Sequence, residues 1–357
     1  MPWSFVRSMR RALSVVSMGA LALASGSCES APPDPISRWG LFADPATHTP
    51  VEGVEPYELN SPLFSDYSVK HRYIRLPEGT RITVRDDGTW QFPEGTVLVK
   101  TFGFLRDYRD PSLGERVIET RLLVLEEGEW EPYVYMWNET VTEAFAQPAG
   151  ARVPVTFIDG AGETVSITYR VPNVVQCGNC HGGTGPTLPL GPRTQQLDRM
   201  HDYGSGPESQ IDHLVSIGWL EGAPAAGERD TWTDYADETA PLDARARSYL
   251  HANCAHCHRE GGAASQSGLW YDIGIDDEVR LGFCKIPAAA GRGTGGRPVD
   301  LWPGDSSRSI MTFRMASTEA GVKMPELPTV LAHTEGVALI EQWIDAMPDR
   351  ECTSGGM

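Results

Sequence analysis

The sequence predicts an α+β, multidomain protein: an N-terminal antiparallel β sheet or sandwich followed by a mostly α C-terminal domain. Two observations predict it. Between Tyr73 and Val171 run seven short segments rich in Val, Ile, Thr and Tyr: "HRYIRL", "RITV", "TVLVKTFGFL", "RVIETRLLVL", "EPYVYMW", "VPVTFI" and "VSITYRV". Turn residues such as "PEGT", "RDDGTW", "EEGEW" and "IDGAGET" separate them, the pattern of antiparallel strands. After Pro172 the chain becomes Gly- and Pro-rich, and apolar residues recur at helical spacing in "LDARARSYL" and "EGVALIEQWIDAM". With 357 residues, 40% apolar and 22% charged, the chain has the composition of a folded globular protein and length for more than one domain.

Residues 1–27 read as an export signal. Arg7, Arg10 and Arg11 precede an apolar run from Ala12 to Ala24, which is shorter than the ~20 residues a membrane-spanning helix needs. Cys28 follows Ser25-Gly26-Ser27, similar to a bacterial lipoprotein cleavage site although the usual leucine three positions before the cysteine is missing. The expectation is a lipidated Cys28 and a periplasmic protein anchored at the outer membrane, the alternative being a soluble periplasmic one. No later segment is apolar enough to cross a membrane. The formal net charge is −18, which argues against nucleic acid or an anionic membrane as a partner.

Residues 28–60, with "SAPPDPIS" at their start, read as a tether and irregular lead-in. Residues 61–175 read as the β domain, 176–240 as a segment packed on it, and 241–353 as the helical domain. A helix is expected near Ser209–Leu220, another from Leu242 with Ala246, Tyr249 and Leu250 on one face, and a last one with Thr334 as N-cap.

Seven cysteines sharpen the reading. Two CxxCH motifs are present, "CGNCH" (Cys177, Cys180, His181) and "CAHCH" (Cys254, Cys257, His258). In an exported chain CxxC followed at once by His is the attachment signal for c-type haem. Two thioether bonds fix the porphyrin edge, and the adjacent imidazole binds the iron. The expectation is two covalently attached haem c groups with His181 and His258 as iron ligands. Zinc or a redox disulfide are the rival readings, and zinc would need further ligands at metal spacing. Cys284 and Cys352 remain, and in an oxidising compartment they are expected to pair.

The stretch from the helix into "CAHCH", through a loop-rich middle to "GVKMPELP" and a final helix, resembles small c-type cytochromes. That resemblance makes residues 241–353 a cytochrome c-like domain and implies Met324 as second iron ligand, with Met311, Met315 and His333 as rivals. With "YELNSPLFSDYSVK", "FPEGTVLVKTF", "IETRLLV", "GPRTQQL" and "CKIPAAAGRGTGG", the whole chain resembles bacterial di-haem c-type cytochromes with an N-terminal β domain. The β region is also similar to lysine-crosslinked, hydroxylamine-oxidising cytochromes and their NO-binding relatives, which singles out Lys100. Its other reading is a surface lysine at a strand edge.

The far-side ligand of the first haem stays open among Met200, His201, His213 and Met136, or an empty position walled by Phe102, Phe104, Tyr135 and Trp137. Arg292 or Arg297 of "GRGTGGRP" could pair a haem propionate. The leading functional reading is periplasmic electron transfer with another redox protein. The alternatives are a haem enzyme or a protein binding a small NO- or hydroxylamine-type ligand at the first haem, and a binding module.

Overall fold

All seven predicted β segments form strands in the computed structural model, which describes residues 34–326 and 329–352. They are shared among three sheets. The largest is a six-stranded antiparallel meander: β1 (Glu55–Pro56), β2 (Val69–Arg75), β3 (Val97–Leu105), β4 (Glu115–Glu126), β5 (Glu129–Trp137) and β6 (Ala144–Ala146), in the order β6-β5-β4-β3-β2-β1. The short strand Ile82–Val84 leaves this sheet and pairs with Trp90–Gln91 and Leu220–Glu221. β7 (Ala151–Ile158) and β8 (Thr164–Val171) form a separate hairpin. Part of the lead-in is also ordered: Phe42–Asp44 pairs with Thr49–Pro50, and β1 edges the main sheet.

The two faces of the main sheet follow the period of two along a strand. In β3, Val97 and Val99 join a core with Leu122, Val124 and Tyr135, while Leu98 joins the opposite core with Ile74, Trp90, Ile211 and Leu214. Lys100 and Phe102 continue the Leu98 face. A buried ion pair fastens the hairpin to that face: Arg121 donates to both oxygens of the fully buried Glu119 (2.9 and 2.5 Å), and Tyr169 Oη donates to Glu119 Oε1 (2.7 Å).

The expectation of a mostly α C-terminal domain is overturned. The chain is predominantly β sheet with few helices. The helices are α1 (Val174–His181), α2 (Gln210–Ser216), α3 (Leu242–Leu250), α4 (Ile310–Ala316) and α5 (Thr334–Asp345), plus the single turn Thr194–Leu197. Between α3 and α5 lie a π-turn (His251–Ala255), short 3-10 turns and α4, joined by irregular chain. The cause is local. "GGAASQSG" and "GRGTGGRP" hold glycines at positive φ, such as Gly261, Gly268, Gly295 and Gly296, which stop helices from propagating. Only α3 and α5 pack as longer helices, around Ala246, Tyr249, Ile340 and Trp343. Thr334 is the first residue of α5, and His333 precedes it as N-cap.

The segment "LNSPLFSDY" ties the sheet to the C-terminal part. Ser61 Oγ donates to the Thr233 carbonyl (2.7 Å), Phe64 N donates to Asn253 Oδ1 (2.8 Å), and Val330 and Leu331 N donate to Asp66 Oδ1 (2.8 Å each). The described residues form one compact unit. Cys284 and Cys352 are joined as a disulfide. The export signal and Cys28 lie outside the described residues. Among the described residues no helix is long and apolar enough to cross a membrane.

Removing Glu119 would leave the half-buried Arg121 without its counter-charge. Glu119→Ala is expected to cost about 3–5 kcal/mol in denaturant unfolding. Glu163→Ala, on the exposed β8 end, should stay within about 0.5 kcal/mol. Equal losses in the two variants would remove the special role of Glu119.

Candidate haem-attachment sites

The first motif is itself helical. Asn173 caps α1: its side chain accepts from Gln176 N (2.8 Å) and its own N donates to Gln176 Oε1 (3.0 Å), a capping box. Cys177 and Cys180, three apart, therefore share a helix face. The cap residue Asn173 lies two residues after β8 ends, so the motif is carried by a helix that follows the strand directly. The second motif sits where α3 runs into the π-turn His251–Ala255, as the helical lead-in predicts. Cys177, Cys180, Cys254 and Cys257 are all free thiols.

Each motif lines its own cavity. The first, of about 710 Å³, takes Cys177, Cys180 and His181 on one side and Lys100, Phe102 and Arg121 of the sheet on the other. The second, of about 320 Å³, takes Cys254, Cys257 and His258 together with Met311, Met315 and Met324. Both volumes lie within the range of small-molecule and cofactor sites.

Both motif histidines are held by the same ring nitrogen. His181 Nδ1 donates to the Leu188 carbonyl (2.8 Å), and His258 Nδ1 is hydrogen-bonded to Ser267 Oγ (3.2 Å). Among the described residues neither Nε2 has a hydrogen-bond partner. An Nδ1 anchor that frees Nε2 is how proteins orient a metal-binding imidazole. Burial pushes both rings down to about 4, so both are neutral at neutral pH. Burial pushes the Cys254 thiol up to about 12 and raises Cys177. A hydrogen bond from Cys257 holds Cys180 down and Cys257 up.

The two motifs touch. Thr184 N and Oγ1 both donate to the Gly261 carbonyl (3.0 Å each), and Cys257 Sγ lies 3.8 Å from the Asn179 carbonyl. Gly183, at φ +64, is required there, since a Cβ would come within 2.6 Å of Gly261 O. Ligand atoms of Cys180, His256 and Cys257 lie within 4.8 Å of one another, and Cys180 and His256 line both cavities. Three ligands fall short of the four of a closed structural zinc site; among the described residues no fourth joins this group.

The first cavity is basic in an acidic protein. Arg72, Lys100, Arg121, Arg152, Arg170, Arg193 and Arg259 line it, against Asp272 alone among acids. Arg72, Lys100 and Arg121 stand directly opposite one another across β2, β3 and β4. Arg72 Nη2 is buried without a hydrogen-bond partner. Burial, and then Arg72, Lys70 and Arg121, hold the Lys100 amine well below its usual range. A cavity wall of this kind fits an anionic, largely apolar occupant, and paired thiols with anchored imidazoles fit haem c.

Several expectations are corrected here. Lys100 is a half-buried residue of a central strand, not a surface lysine at an edge; its alternation with Leu98 and Phe102 places it inward. Met200, His201, His213 and Met136 do not line the first cavity. Met200 is exposed, and His201 packs edge-on to Tyr203. His213 is bound by Glu55 (3.2 Å) and Glu208 (3.1 Å), and Met136 packs on the Phe104 and Phe157 core. Of the four expected wall residues only Phe102 reaches the cavity; Phe104 packs on Phe157 and Tyr169, Tyr135 accepts a bond from Trp39 Nε1, and Trp137 donates to Thr120. His333, a rival ligand for the second site, does not line that cavity: it stacks on Phe64 (4.2 Å) and bonds Tyr249 Oη. Arg292 pairs Glu319 and Arg297 covers Phe313, so Arg314 is the arginine in the second cavity.

Sequence reasoning missed His251 and His256, which line the first cavity although they belong to the second motif's segment. Their positions gave no signal, because the contact between the motifs is tertiary. The inward cations were readable: Arg72 alternates with Ile74, and Arg121 with Leu123, on the same face as Leu98. No protein-family model, curated protein or solved structure matches this chain.

Proposed function

We propose that the chain is an exported di-haem c-type cytochrome acting in periplasmic electron transfer, of the kind with an N-terminal β domain that its sequence resembles. One observation carries this reading. Each CxxCH motif presents two free thiols and an imidazole tied by Nδ1 with Nε2 unpartnered, at a cavity that shares Cys180 and His256 with the other. Haem, when bound, supplies a one-electron iron couple. Cys177 with Cys180, and Cys254 with Cys257, would hold the porphyrin edges. His181 and His258 would be the near-side ligands, and Met324 the far-side ligand of the second site.

Hydrogen bonds hold the Met324 loop. Met324 N donates to the Arg314 carbonyl (2.9 Å), Arg314 Nε donates to Val322 O (2.8 Å), and Lys323 Nζ bonds Pro325 O (2.6 Å) and Thr329 Oγ1. Met315 belongs to the packed core around Ile340, and Met311 packs against it, which suits filling more than ligation. In the first cavity Arg72, Lys100 and Arg121 would balance propionate charge. The docking partner is proposed to be another periplasmic redox protein, and Cys28 the site of lipid anchoring.

A second reading is favoured by the first cavity itself. None of the Met or His residues expected on its far side reaches it, and Lys100, His251 and His256 are the lysine and histidines that line it besides His181. A weakly held far side would admit a small ligand and make the protein a sensor or oxidoreductase, with the second site as relay.

Holoprotein should carry two haems that survive acid-acetone extraction, and its mass should exceed that of the processed chain by two haems. Cys177→Ala with Cys180→Ala should leave one. A single haem in fully matured wild-type protein would refute the proposal.

Met324→Ala should abolish the sulfur-to-iron absorption band of one ferric haem and lower its potential, since a thioether ligand raises it. An unchanged band would transfer the role to Met311 or Met315.

Carbon monoxide added to the reduced protein separates the two readings. A shift in one of the two haems supports the open first site. No shift leaves the carrier alone, and Lys100→Met and His256→Ala, made in turn, should then expose the ligand by restoring the shift.

A further inference from the structure

On the sheet face away from the haem cavities, three residues far apart in sequence converge. His48 lies in the turn between Phe42–Asp44 and Thr49–Pro50, His71 lies on β2, and Glu115 opens β4. His71 Nε2 is 2.9 Å and His48 Nε2 is 3.3 Å from the same oxygen, Glu115 Oε2. The ligand atoms of all three lie within 4.8 Å of one another. The side chains are 12%, 32% and 14% exposed, so the cluster is sheltered but reachable.

The surroundings are shaped to this cluster. Glu115 Oε1 is buried with no hydrogen-bond partner, a costly state for a carboxylate oxygen. Gly103 makes room for it, since a Cβ there would come within 1.8 Å of Oε1. His48 is held at φ +56, a conformation a non-glycine residue rarely adopts, and its carbonyl accepts from Tyr73 Oη (2.7 Å). Backbone strain of this kind concentrates at functional sites.

We propose that His48, His71 and Glu115 bind one divalent transition-metal ion, of which Zn²⁺ is the representative, at a site separate from both haem cavities. Two imidazoles and one carboxylate suit zinc or ferrous iron. Calcium would require six or more oxygen ligands, which this set lacks. With metal–ligand bonds near 2.1 Å, tetrahedral ligands lie about 3.4 Å apart, close to the present nitrogen–oxygen spacings. The two rings stack at 3.7 Å, both aimed at one oxygen. The ion would take the place of those shared hydrogen bonds, and the rings would part by side-chain rotation to admit it. Each imidazole would keep its proton on Nδ1, and Oε1 would gain the partner it lacks. Three protein ligands leave an open position for water.

The test uses the purified full chain, stripped with chelator and titrated with Zn²⁺ by calorimetry and with Co²⁺ by absorption. One equivalent should bind, and the cobalt spectrum should show d–d bands without thiolate-to-metal charge transfer. His48→Ala, His71→Ala and Glu115→Gln should each weaken binding by at least about 100-fold, the upper loss seen on removing even outer-shell partners. Glu115→Gln keeps the side chain's shape, and far-UV circular dichroism checks that each variant is folded. A measurement on the wild type alone adds to this: Zn²⁺ should suppress diethyl pyrocarbonate modification of His48 and His71. No uptake, uptake that survives loss of both histidines, thiolate bands that place the ion at Cys180, His256 and Cys257, or unsuppressed modification would each overturn the site.

Discussion

Arg72, Lys100 and Arg121 sit side by side across three neighbouring strands, on the inward face of a sheet, in a protein of net charge −18. Like charges directly opposite in a sheet repel, and partial burial strengthens the repulsion. At an effective dielectric of 20, two unit charges about 5–6 Å apart repel by about 3 kcal/mol. Glu119 answers Arg121, and Glu58 lies 3.6 Å from Arg72. Lys100 relieves its share by losing its proton more readily. The sheet thus tolerates the row through two carboxylates and a readily deprotonated lysine, and the row faces the cavity that the first CxxCH motif also lines.

Much of the β architecture was legible because two signals coincide there: period-two alternation and turn residues at short intervals. "VLVKTFGF" shows why the alternation carried more than strand position. Leu98, Lys100 and Phe102 share a face, so a lysine between two buried residues had to be inward. The distribution of strands among three sheets was not legible. Ile82–Val84 reads like its neighbours, but pairs in parallel with Leu220–Glu221, a partner some 140 residues away. No local pattern encodes such a pairing.

The C-terminal part misled for a different reason. Two helical stretches, "LDARARSYL" and "EGVALIEQWIDAM", are strongly patterned, and their strength suggested a helical domain between them. The residues between are set instead by glycines at positive φ and by backbone bonds of loops, such as Cys284 N to Leu301 O (2.9 Å) and Ile310 N to Val299 O (3.0 Å). Around the sites, the CxxCH residues and Met324 were readable as types at fixed spacing. The roles of His251, His256 and Arg314 were not, because each reaches its cavity through packing.

The two CxxCH motifs meet in the fold. Gly183 and Gly261 meet where neither neighbour could tolerate a larger side chain at 183, and Thr184 closes the contact with two bonds to one carbonyl. Cys180 and Cys257, the second thiols of the two motifs, are brought together as a result. On the proposed reading, two porphyrin edges anchored at those thiols would lie close with no moving part between them. The close Gly183–Gly261 approach helps to set that separation. The relation between the sites therefore depends on a glycine outside both motifs as well as on Asn179, Cys180, His256 and Cys257 within them.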